Sequence, residues 1–436
     1  MVFYDRESEI EILREIEENS RHFAQMTILM GRRRVGKTTL LKNAFSQPTP
    51  FIYFFVAKKN EALLCEEFVR EVEEKLSVSI GSFQTFAQLF KSIMIQSQTR
   101  HFTLIVDEFQ EFEKINPATF SDIQNHWDTY KETSKINLIF SGSIYSMMKR
   151  IFENSKEPLY GRATSKIVIK PFFTSVLKKI LSDFCPNYTT DDLLAFYMVT
   201  GGIPKYVEQL AYNKAFTKKR IFDAIFKENS FFLDEGRAVL VDEFGKDYGN
   251  YFSILTLIAS SKNSRSEMES MLNMPVGGYL ERLENDYNLI KRNRPFGAKE
   301  GSRNNKYLIE DNFLNFWFRF IYKYRSAVEI GNLEYVRNIV ERDYEMYSGL
   351  ILEKYFRAVL TESKQFSDIG SYWNSKGEDE IDIVALNDME KRLIFYEVKR
   401  NKNRISIPLL EQKSRELTRR YSTYHHEYKS FYLGDM

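Results

Sequence analysis

Hydrophobic residues follow two different patterns along this chain, and the pattern changes near Ile169. Before that point, short apolar runs at 26–30, 51–56, 102–106 and 136–140 alternate with stretches of helical periodicity. Uninterrupted apolar runs of this length are typical of strands that are buried on both faces. Their alternation with helices predicts an α/β fold in which helices cover both faces of a parallel sheet.

Helical periodicity predominates after Pro171, and strand patterns are absent until well beyond residue 245. We therefore predict a sheet domain at 1–170 and a helical domain at 171–245.

Three further helical segments precede a stretch that contains Pro295, Gly297 and Gly301. Three helices followed by a hairpin-like excursion predict a winged helix at 246–312. The excursion is rich in cations that would reach DNA phosphates, namely Lys291, Arg292, Arg294, Lys299, Arg303 and Lys306. The alternative, left open here, is a winged helix that serves as a spacer or protein contact.

Aromatic residues are concentrated at 313–324, and their helical spacing predicts a buried helix within a connector at 313–345. The remainder, 346–436, alternates in the order helix, strand, strand, strand, helix, strand. This order predicts a second, smaller α/β domain.

The first motif with clear chemistry is the G-x-x-x-x-G-K-T sequence that spans Gly31–Thr38. Its backbone N–H groups would surround the phosphates of a nucleotide, Lys37 would contact the β- and γ-phosphates, and Thr38 would ligate Mg²⁺. A chance match in a turn is the alternative. The strand before the motif and the helix after it favour ATP binding instead. The predicted nucleotide-binding residues are Gly31, Arg32, Arg33, Arg34, Val35, Gly36, Lys37, Thr38 and Thr39.

A second motif lies where the apolar run 102–106 ends in Asp107 and Glu108. We predict that Asp107 holds Mg²⁺ and that Glu108 polarises the attacking water during ATP hydrolysis. Ordinary solvated acids at a strand end are the alternative. The phosphate loop earlier in the chain favours the catalytic interpretation.

Two further candidates would act on the γ-phosphate. Ser141 and Ser143 follow the apolar run 136–140, and the strand-end position makes Ser141 the preferred sensor of the γ-phosphate. A serine in a plain turn is the alternative. Arg162 is a candidate arginine finger, with a surface charge as the alternative. The sequence leaves open whether Arg162 acts within its own chain or across a homo-oligomer.

Composition limits the remaining function classes. Hydrophobic residues make up 43% of the 436 residues, which supplies several cores. The 62 basic and 60 acidic residues nearly cancel, so any attraction to nucleic acid must be local. Two cysteines form no metal or disulfide pattern, and no apolar run reaches the length of a membrane span. We expect a cytoplasmic protein without a membrane partner.

The motifs together resemble the archaeal-type ATPases of the AAA-related and STAND group. The segments that carry the resemblance are 3–7, 31–38, 107–110, 141–143, 160–162 and 200–204. The resemblance implies that Arg6 borders the adenine pocket and that Ser141 is the sensor. It also implies that the turn ending at Pro204 closes over the nucleotide from a helical lid.

The C-terminal domain contains a third constellation. Strand alternation places Glu397 and Lys399 on one face, and Asp382 on the adjoining strand would converge with them. Two carboxylates and a lysine are a minimal set for Mg²⁺-assisted phosphodiester cleavage. The arrangement resembles the PD-(D/E)xK nuclease superfamily, which implies a restriction-endonuclease-like fold and a third carboxylate, Glu353. Ile381 departs from the usual proline.

Alternating acids and bases on a hairpin are also common on solvated surfaces, and an inactive descendant of a nuclease would keep the same residues. The segment 391–436 carries eleven basic residues against five acidic ones, which favours DNA or RNA as a partner. Two hypotheses follow from these observations. One is an ATP-driven enzyme that acts on nucleic acid, and the other is a STAND-type switch whose C-terminal domain binds a partner without cleavage.

Overall fold

The computed structural model describes residues 4–45, 49–245, 248–299, 301–302, 304–374 and 379–436. It divides into two compact units. The N-terminal unit is Asp5–Lys170, and the C-terminal unit is Pro171–Met436 together with Tyr4. The division coincides with the end of the predicted sheet domain at residue 170. The boundaries predicted at 245, 312 and 345 fall inside the C-terminal unit and stay predictions.

The N-terminal unit is built on a five-stranded parallel sheet in the order β2-β3-β4-β1-β5. Its strands are β1 (Gln25–Met30), β2 (Phe51–Phe55), β3 (Phe102–Asp107), β4 (Ile136–Ser141) and β5 (Ser165–Val168). Every residue of β1, β3 and β4 is buried, as the continuous apolar runs predicted. This arrangement confirms the predicted α/β fold with a parallel sheet.

Helices cover both faces of this sheet. They are α1 (Glu7–Asn19), α2 (Lys37–Ala44), α3 (Glu61–Leu76), α4 (Phe86–Gln96), α5 (Phe112–Ile115), α6 (Thr119–Tyr130) and α7 (Tyr145–Glu153). Alternate strand residues enter two separate cores: Leu29 and Ile105 pack with α1 and α2, whereas Ile28 and Leu104 pack with α3, α4 and α6. The central strands of the sheet are therefore buried on both faces, and the predicted site residues lie at the strand ends.

The C-terminal unit begins with eight helices, which include the predicted lid. They are α8 (Thr174–Phe184), α9 (Thr190–Thr200), α10 (Pro204–Tyr212), α11 (Lys218–Ile225), α12 (Phe231–Phe244), α13 (Tyr248–Ala259), α14 (Arg265–Leu272) and α15 (Gly277–Asn285). The Thr189 side chain and Asp192 cap the start of α9 reciprocally. Gly201 ends this helix in the left-handed conformation that favours glycine, with φ 53°.

An antiparallel pair, β6 (Ile290–Asn293) and β7 (Lys306–Ile309), follows α15. Three helices and a hairpin are thus present in the predicted order, although the winged-helix interpretation itself stays a prediction. The aromatic segment forms α16 (Asn312–Phe316) and a π-helical turn, Trp317–Tyr322. Its aromatic side chains at 313, 316, 317, 318 and 320 are buried, which confirms the prediction that they are core residues.

The rest of the chain forms a four-stranded sheet in the order β11-β10-β9-β8, which we call the C-terminal sheet. Only β10 and β11 are parallel. The elements are α17 (Arg325–Glu329), α18 (Leu333–Glu362), β8 (Asp368–Trp373), β9 (Glu380–Asn387), β10 (Arg392–Lys399), α19 (Ile407–Arg420) and β11 (His425–Tyr432). A separate sheet at the C-terminus is therefore confirmed. The boundary predicted between residues 345 and 346 lies within the continuous helix α18.

None of the helices in the described ranges combines the length and the hydrophobicity that a membrane crossing requires.

Candidate functional site

The phosphate loop connects β1 to α2, where the motif requires it. A Cβ at Gly31 would lie 2.9 Å from the carbonyl oxygen of Ile169, so the backbone approaches β5 too closely for a larger residue. Gly36 precedes α2 with φ 88°, in the left-handed region. Val35 anchors the loop in the core at 2% exposure. Glycine thus occupies the two places where the backbone demands it.

Lys37 is buried at the start of α2, and its ammonium lies inside the loop. Its Nζ donates hydrogen bonds to the carbonyl oxygens of Gly31, at 2.7 Å, and Arg32, at 3.2 Å. Both of these acceptors are neutral carbonyl groups of the loop. The other predicted loop residues are more accessible: Arg32 and Arg33 are partly buried, and Arg34 and Thr39 are exposed.

Asp107, at the end of β3, is bound by three donors that carry no charge. Thr38 Oγ1 and the Tyr53 hydroxyl both donate to Asp107 Oδ2, at 3.1 and 2.5 Å, and the N–H of Glu108 donates to Oδ1 at 3.0 Å. Burial and the hydrogen bond to Asp107 raise the pKa of Tyr53 above its ordinary range, so its hydroxyl remains a donor. Thr38 and Asp107, the predicted metal ligands, are in direct contact.

Glu108 adopts a left-handed backbone conformation, with φ 55°, immediately after the strand. Its Oε2 accepts hydrogen bonds from Gln110 Nε2 at 2.5 Å and from Ser143 Oγ at 2.7 Å. Two side chains from neighbouring turns thus hold the carboxylate through Oε2.

The two candidate serines occupy different environments. Ser141 is the last residue of β4, is fully buried, and has an Oγ without a hydrogen-bond partner among the described residues. Ser143 lies beyond the strand and contacts Glu108. Gly142 permits this turn, because a Cβ there would collide with Gln110 Oε1 and Met148. The choice of Ser141 as the sensor stays a prediction, and Ser143 is the serine in contact with the candidate base.

Two other predicted residues of the N-terminal unit, Arg162 and Arg6, form hydrogen bonds within that unit. Arg162 binds Asp128 on α6 through Nη2 at 2.8 Å and donates to the carbonyl oxygen of Pro158. Arg6 is buried just before α1 and donates to the carbonyl oxygen of Lys170 at 2.7 Å. Pro204 is the first residue of α10 and belongs to the C-terminal unit.

The C-terminal constellation assembles at one end of β9 and β10. Asp382 Oδ2 accepts hydrogen bonds from Lys399 Nζ at 2.9 Å and from the N–H of Val398 at 2.7 Å. Glu397 Oε1 lies 3.7 Å from the same ammonium. Although burial alone would lower it, the charges of Asp382 and Glu397 hold the pKa of Lys399 above its ordinary value. The predicted convergence of Asp382, Glu397 and Lys399 is present.

Glu353 faces this cluster from α18. Its burial, followed by the negative charge of Asp382, raises the pKa of Glu353 to about 8. One turn further along the helix, the guanidinium of the half-buried Arg357 donates to the carbonyl oxygen of Asp382 at 3.2 Å and to Ser371. In the described ranges, no group of three or more His, Cys, Asp and Glu side chains is arranged to hold a metal ion. The metal site predicted at Glu353, Asp382 and Glu397 stays a prediction.

The loop between β6 and β7, the predicted wing, packs against the C-terminal sheet. Phe296 is buried with Tyr372 and Leu410, and its N–H donates to the carbonyl oxygen of Ser371 at 2.7 Å. Arg420 donates to the carbonyl oxygen of Gly297. Among the wing cations, Lys306 pairs with Glu380 at 2.8 Å and Arg292 pairs with Glu284 at 2.9 Å. Arg303 lies outside the described residues.

An ion-pair cluster adjoins the C-terminal constellation through Arg400, the residue after Lys399. Arg400 Nη2 binds Asp191 Oδ1 at 2.7 Å, and Lys218 binds the other oxygen of Asp191 at 2.6 Å. The Tyr344 hydroxyl donates to Asp191 at 2.9 Å. Residues from α9, α11, α18 and the position after β10 thus meet within one unit.

Three residues of the candidate sites received no role from the sequence: Tyr53, Gln110 and Arg357. Tyr53 lies on an apolar strand, where an aromatic residue is typical of the core. Gln110 ends the segment 107–110 that carries the family resemblance, but the resemblance assigned it no role. Arg357 follows Glu353 by four residues on α18, a spacing that places both on one helix face and was the only available signal.

Comparison with known proteins agrees with the sheet order and the phosphate loop, which define a P-loop ATPase. Residues 3–210 match a family described as an ATPase domain predominantly from Archaea. An uncharacterized protein of Methanocaldococcus jannaschii is 31% identical over 414 residues, which span 91% of this chain and 87% of that protein. The chain belongs to the same family as that protein and carries the archaeal-type ATPase domain. The predicted archaeal-type ATPase is thereby confirmed.

The solved structures concern the fold alone. A Walker-type ATPase of Pyrococcus abyssi superposes with a TM-score of 0.54 at 20% identity, over 72% of this chain and 96% of that chain. The ORC2 protein of Aeropyrum pernix superposes with a TM-score of 0.49 at 14% identity, over 78% of this chain and 94% of that chain.

The C-terminal region also has a family match. Residues 317–416, which include Glu353, Asp382, Glu397 and Lys399, match a family described as "Archaea bacterial proteins of unknown function". That description assigns no activity, so the nuclease-like interpretation stays a prediction.

Proposed function

We propose that this ATPase is Mg²⁺-dependent and that Glu108 activates the attacking water. The observation that carries the proposal is the carboxylate of Glu108, which Gln110 and Ser143 hold through Oε2 one residue after the Asp107 that binds Thr38. The hydroxyl of Thr38 and the carboxylate of Asp107 are hard oxygen donors, which suit Mg²⁺. When bound, the ion would neutralise the charge that develops between the β- and γ-phosphates.

The side chains of the loop have separable tasks in this mechanism. Lys37 exchanges its contacts with the carbonyl oxygens of Gly31 and Arg32 for the β- and γ-phosphate oxygens. Glu108 Oε1 accepts a proton as the oxygen of the water attacks the γ-phosphorus, and ADP leaves with the bridging oxygen. Ser143 and Gln110 hold Oε2, which fixes the direction in which Oε1 points.

The resemblance assigns three further roles, which we retain as proposals. Arg6 borders the adenine, and the turn before Pro204 closes over the nucleotide. Arg162 stabilises the charge on the γ-phosphate, within its chain or across a homo-oligomer. Because Arg162 is bound to Asp128, it must leave that carboxylate before it can act.

ATP binding and hydrolysis by the full chain test the proposal, with Mg²⁺ and with EDTA. We expect hydrolysis only with the metal. Lys37→Ala should weaken ATP binding on the order of a hundredfold, since a charge-assisted contact contributes about 1.5–3 kcal/mol. Lys42→Ala, on the exposed side of α2, is the matched control and should bind as wild type does. Equal ATP affinity in both variants would refute the proposed site.

We further propose that the C-terminal unit acts on nucleic acid with the Asp382, Glu397 and Lys399 cluster as its centre. The convergence of two carboxylates with an ammonium supports cleavage of a phosphodiester. A cationic surface on α19 supports binding, because Lys413, Arg415 and Arg419 form no ion pair with any described residue. The wing is a weaker candidate for DNA contact, since Phe296 and Gly297 are engaged with the C-terminal sheet.

The second candidate is a STAND-type switch whose C-terminal unit binds a partner without cutting. The ion pair between Asp382 and Lys399 favours it, because a metal at Asp382 would have to compete with the ammonium. Under this alternative the cluster stabilises the sheet, and ATP controls the availability of a binding surface.

Nicking of supercoiled plasmid in Mg²⁺ or Mn²⁺, with and without ATP, separates the two candidates. Cleavage by the wild type that is lost in both Asp382→Ala and Lys399→Ala supports the nuclease. Lys429→Ala, on β11, is the control for loss of a lysine from the same sheet. If wild type and variants are equally inert on DNA and RNA, the switch is the correct function.

A further inference from the structure

Tyr53 is the residue whose contact with the nucleotide site neither the motif nor the family resemblance explains. It lies in the middle of β2, opposite Ile105 of β3, and two residues before Phe55, which is opposite Asp107. Because side chains alternate along a strand, Tyr53 is on the same face as Phe55 and Asp107. That face is the one covered by α2, the helix that carries Thr38. The tyrosine ring spans the diagonal and brings its hydroxyl to the carboxylate.

The hydrogen bonds around Asp107 define what this hydroxyl does. Oδ2 accepts from Tyr53 at 2.5 Å and from Thr38 at 3.1 Å, while Oδ1 accepts from the N–H of Glu108 at 3.0 Å. The backbone bond alone leaves the carboxylate free to rotate about its terminal bond. The Tyr53 hydroxyl fixes that rotation and turns Oδ2 toward Thr38. These bonds occupy both lone pairs of Oδ2 and one of Oδ1, so Oδ1 keeps a lone pair for a further interaction.

We propose that Tyr53 is a positioning residue for the divalent cation that accompanies ATP. This inference rests on the proposed Mg²⁺ dependence and deepens it. Tyr53 makes no contact with the ion itself; it orients the carboxylate that would hold the ion. Partners of metal-binding groups typically contribute about tenfold to a hundredfold in metal affinity. The expected consequence of losing the hydroxyl is therefore weaker cation binding with unchanged nucleotide contacts.

The experiment uses the full chain and Tyr53→Phe, which removes the hydroxyl and keeps the ring. Mn²⁺ affinity is measured by electron paramagnetic resonance in the presence of a slowly hydrolysed ATP analogue. We expect about tenfold weaker Mn²⁺ binding, whereas affinity for the analogue in EDTA and the melting temperature stay close to wild type. Hydrolysis should require more Mg²⁺ for half-maximal rate, and excess Mg²⁺ should restore most of the turnover. Tyr130→Phe, a partly buried tyrosine on α6, is the matched control.

Two results would overturn the inference. One is Mn²⁺ affinity in Tyr53→Phe within twofold of wild type. The other is an equal loss of analogue affinity with and without metal, accompanied by a lower melting temperature, which would mean that the hydroxyl only supports the fold. Failure of the proposed ATP site would appear separately, as unchanged ATP affinity in Lys37→Ala.

Discussion

The two candidate sites of this chain hold their carboxylates in different ways. In the N-terminal unit, Asp107 is bound by a threonine, a tyrosine and a backbone N–H, and Glu108 by a glutamine and a serine. In the C-terminal unit, Asp382 is bound by a backbone N–H and also by the ammonium of Lys399. Neutral donors orient a carboxylate without cancelling its charge, whereas a lysine does both.

The difference indicates what each site must do before it can bind a cation. Under the proposed function, a metal beside Asp107 would meet a carboxylate that neutral donors already orient. A metal beside Asp382 would have to compete with the ammonium of Lys399. Burial also raises the pKa of Glu353 to about 8, which disfavours its ionised form. We therefore expect the proposed ion to bind more readily at the N-terminal site than at the C-terminal one.

In the N-terminal site, we expect the largest effect from Glu108→Gln. The amide keeps the size of the side chain and cannot accept the proton of the water, so turnover should fall by about a thousandfold while ATP binding is retained. Single-turnover hydrolysis and equilibrium ATP binding measure the two quantities. Glu113→Gln is the control, because Glu113 on α5 is a partly exposed carboxylate that forms an ion pair with Arg150. Unchanged hydrolysis in Glu108→Gln would refute the assigned role.

In the C-terminal unit, the double variant Arg415→Ala and Arg419→Ala tests whether α19 contacts nucleic acid. If these exposed cations contact nucleic-acid phosphates, duplex affinity should fall about tenfold or more, and the slope of log affinity against log salt should decrease by about two. Filter binding across a salt series gives both values. Arg292→Ala with Lys306→Ala removes two cations that are paired within the chain and should leave the slope unchanged. The same slope in every protein would favour the partner-binding switch.

Ser141, which ends β4, and Ser143, which follows it, provide a smaller test of how the Glu108 carboxylate is oriented. Ser143→Ala removes one of two donors to Oε2, so we expect about tenfold slower turnover with little change in ATP affinity. Ser141→Ala tests the alternative that strand-end position decides the sensor. Steady-state kcat and KM of the two variants, measured together, distinguish them. A larger loss in Ser141→Ala would show that its buried hydroxyl reaches the γ-phosphate and that the Ser143 contact is incidental.

The sequence predicted more of the N-terminal site than of the C-terminal site, for a physical reason. The phosphate loop is contiguous, so the spacing of Gly31, Gly36 and Lys37 alone predicts its geometry. Most partners of Asp107 and Glu108 come from other strands and turns, and no motif assigns a role to Tyr53 or Gln110. At the C-terminus, alternation predicted that Asp382 and Lys399 converge. It could not predict that they pair with each other, because pairing depends on side-chain rotamers.

The long-range contacts beyond the C-terminal constellation were also outside the reach of sequence patterns. Asp191 and Arg400 are 209 residues apart, and neither belongs to a motif. Periodicity assigns each to the surface of its own element. Only the tertiary arrangement within the unit makes them partners.

The smallest effect is expected from changes in the Asp191 cluster, which should alter the free energy of unfolding. Although burial alone would raise it, hydrogen bonds from Lys218, Arg400 and Tyr344 hold the pKa of Asp191 below its ordinary value. The ionised carboxylate therefore stabilises the folded chain at pH values above about 3.9, and this contribution is lost as the pH falls through the lower pKa of the folded state. Asp191→Asn should reduce the free energy of unfolding by about 1 kcal/mol at pH 7, after allowance for solvent screening.

Thermal unfolding of Asp191→Asn, Arg400→Ala and the double variant, at pH 7 and at pH 3, tests this contribution. At pH 7 the double variant should lose less than the sum of the two single losses, because both changes remove the same ion pair. At pH 3 the difference between wild type and Asp191→Asn should shrink, since the carboxylate approaches the protonated state. Additive losses at pH 7 would mean that Arg400, the neighbour of Lys399, is held by Ser348 and the Tyr344 ring instead of by Asp191. The C-terminal site would then lack an electrostatic tie to α9.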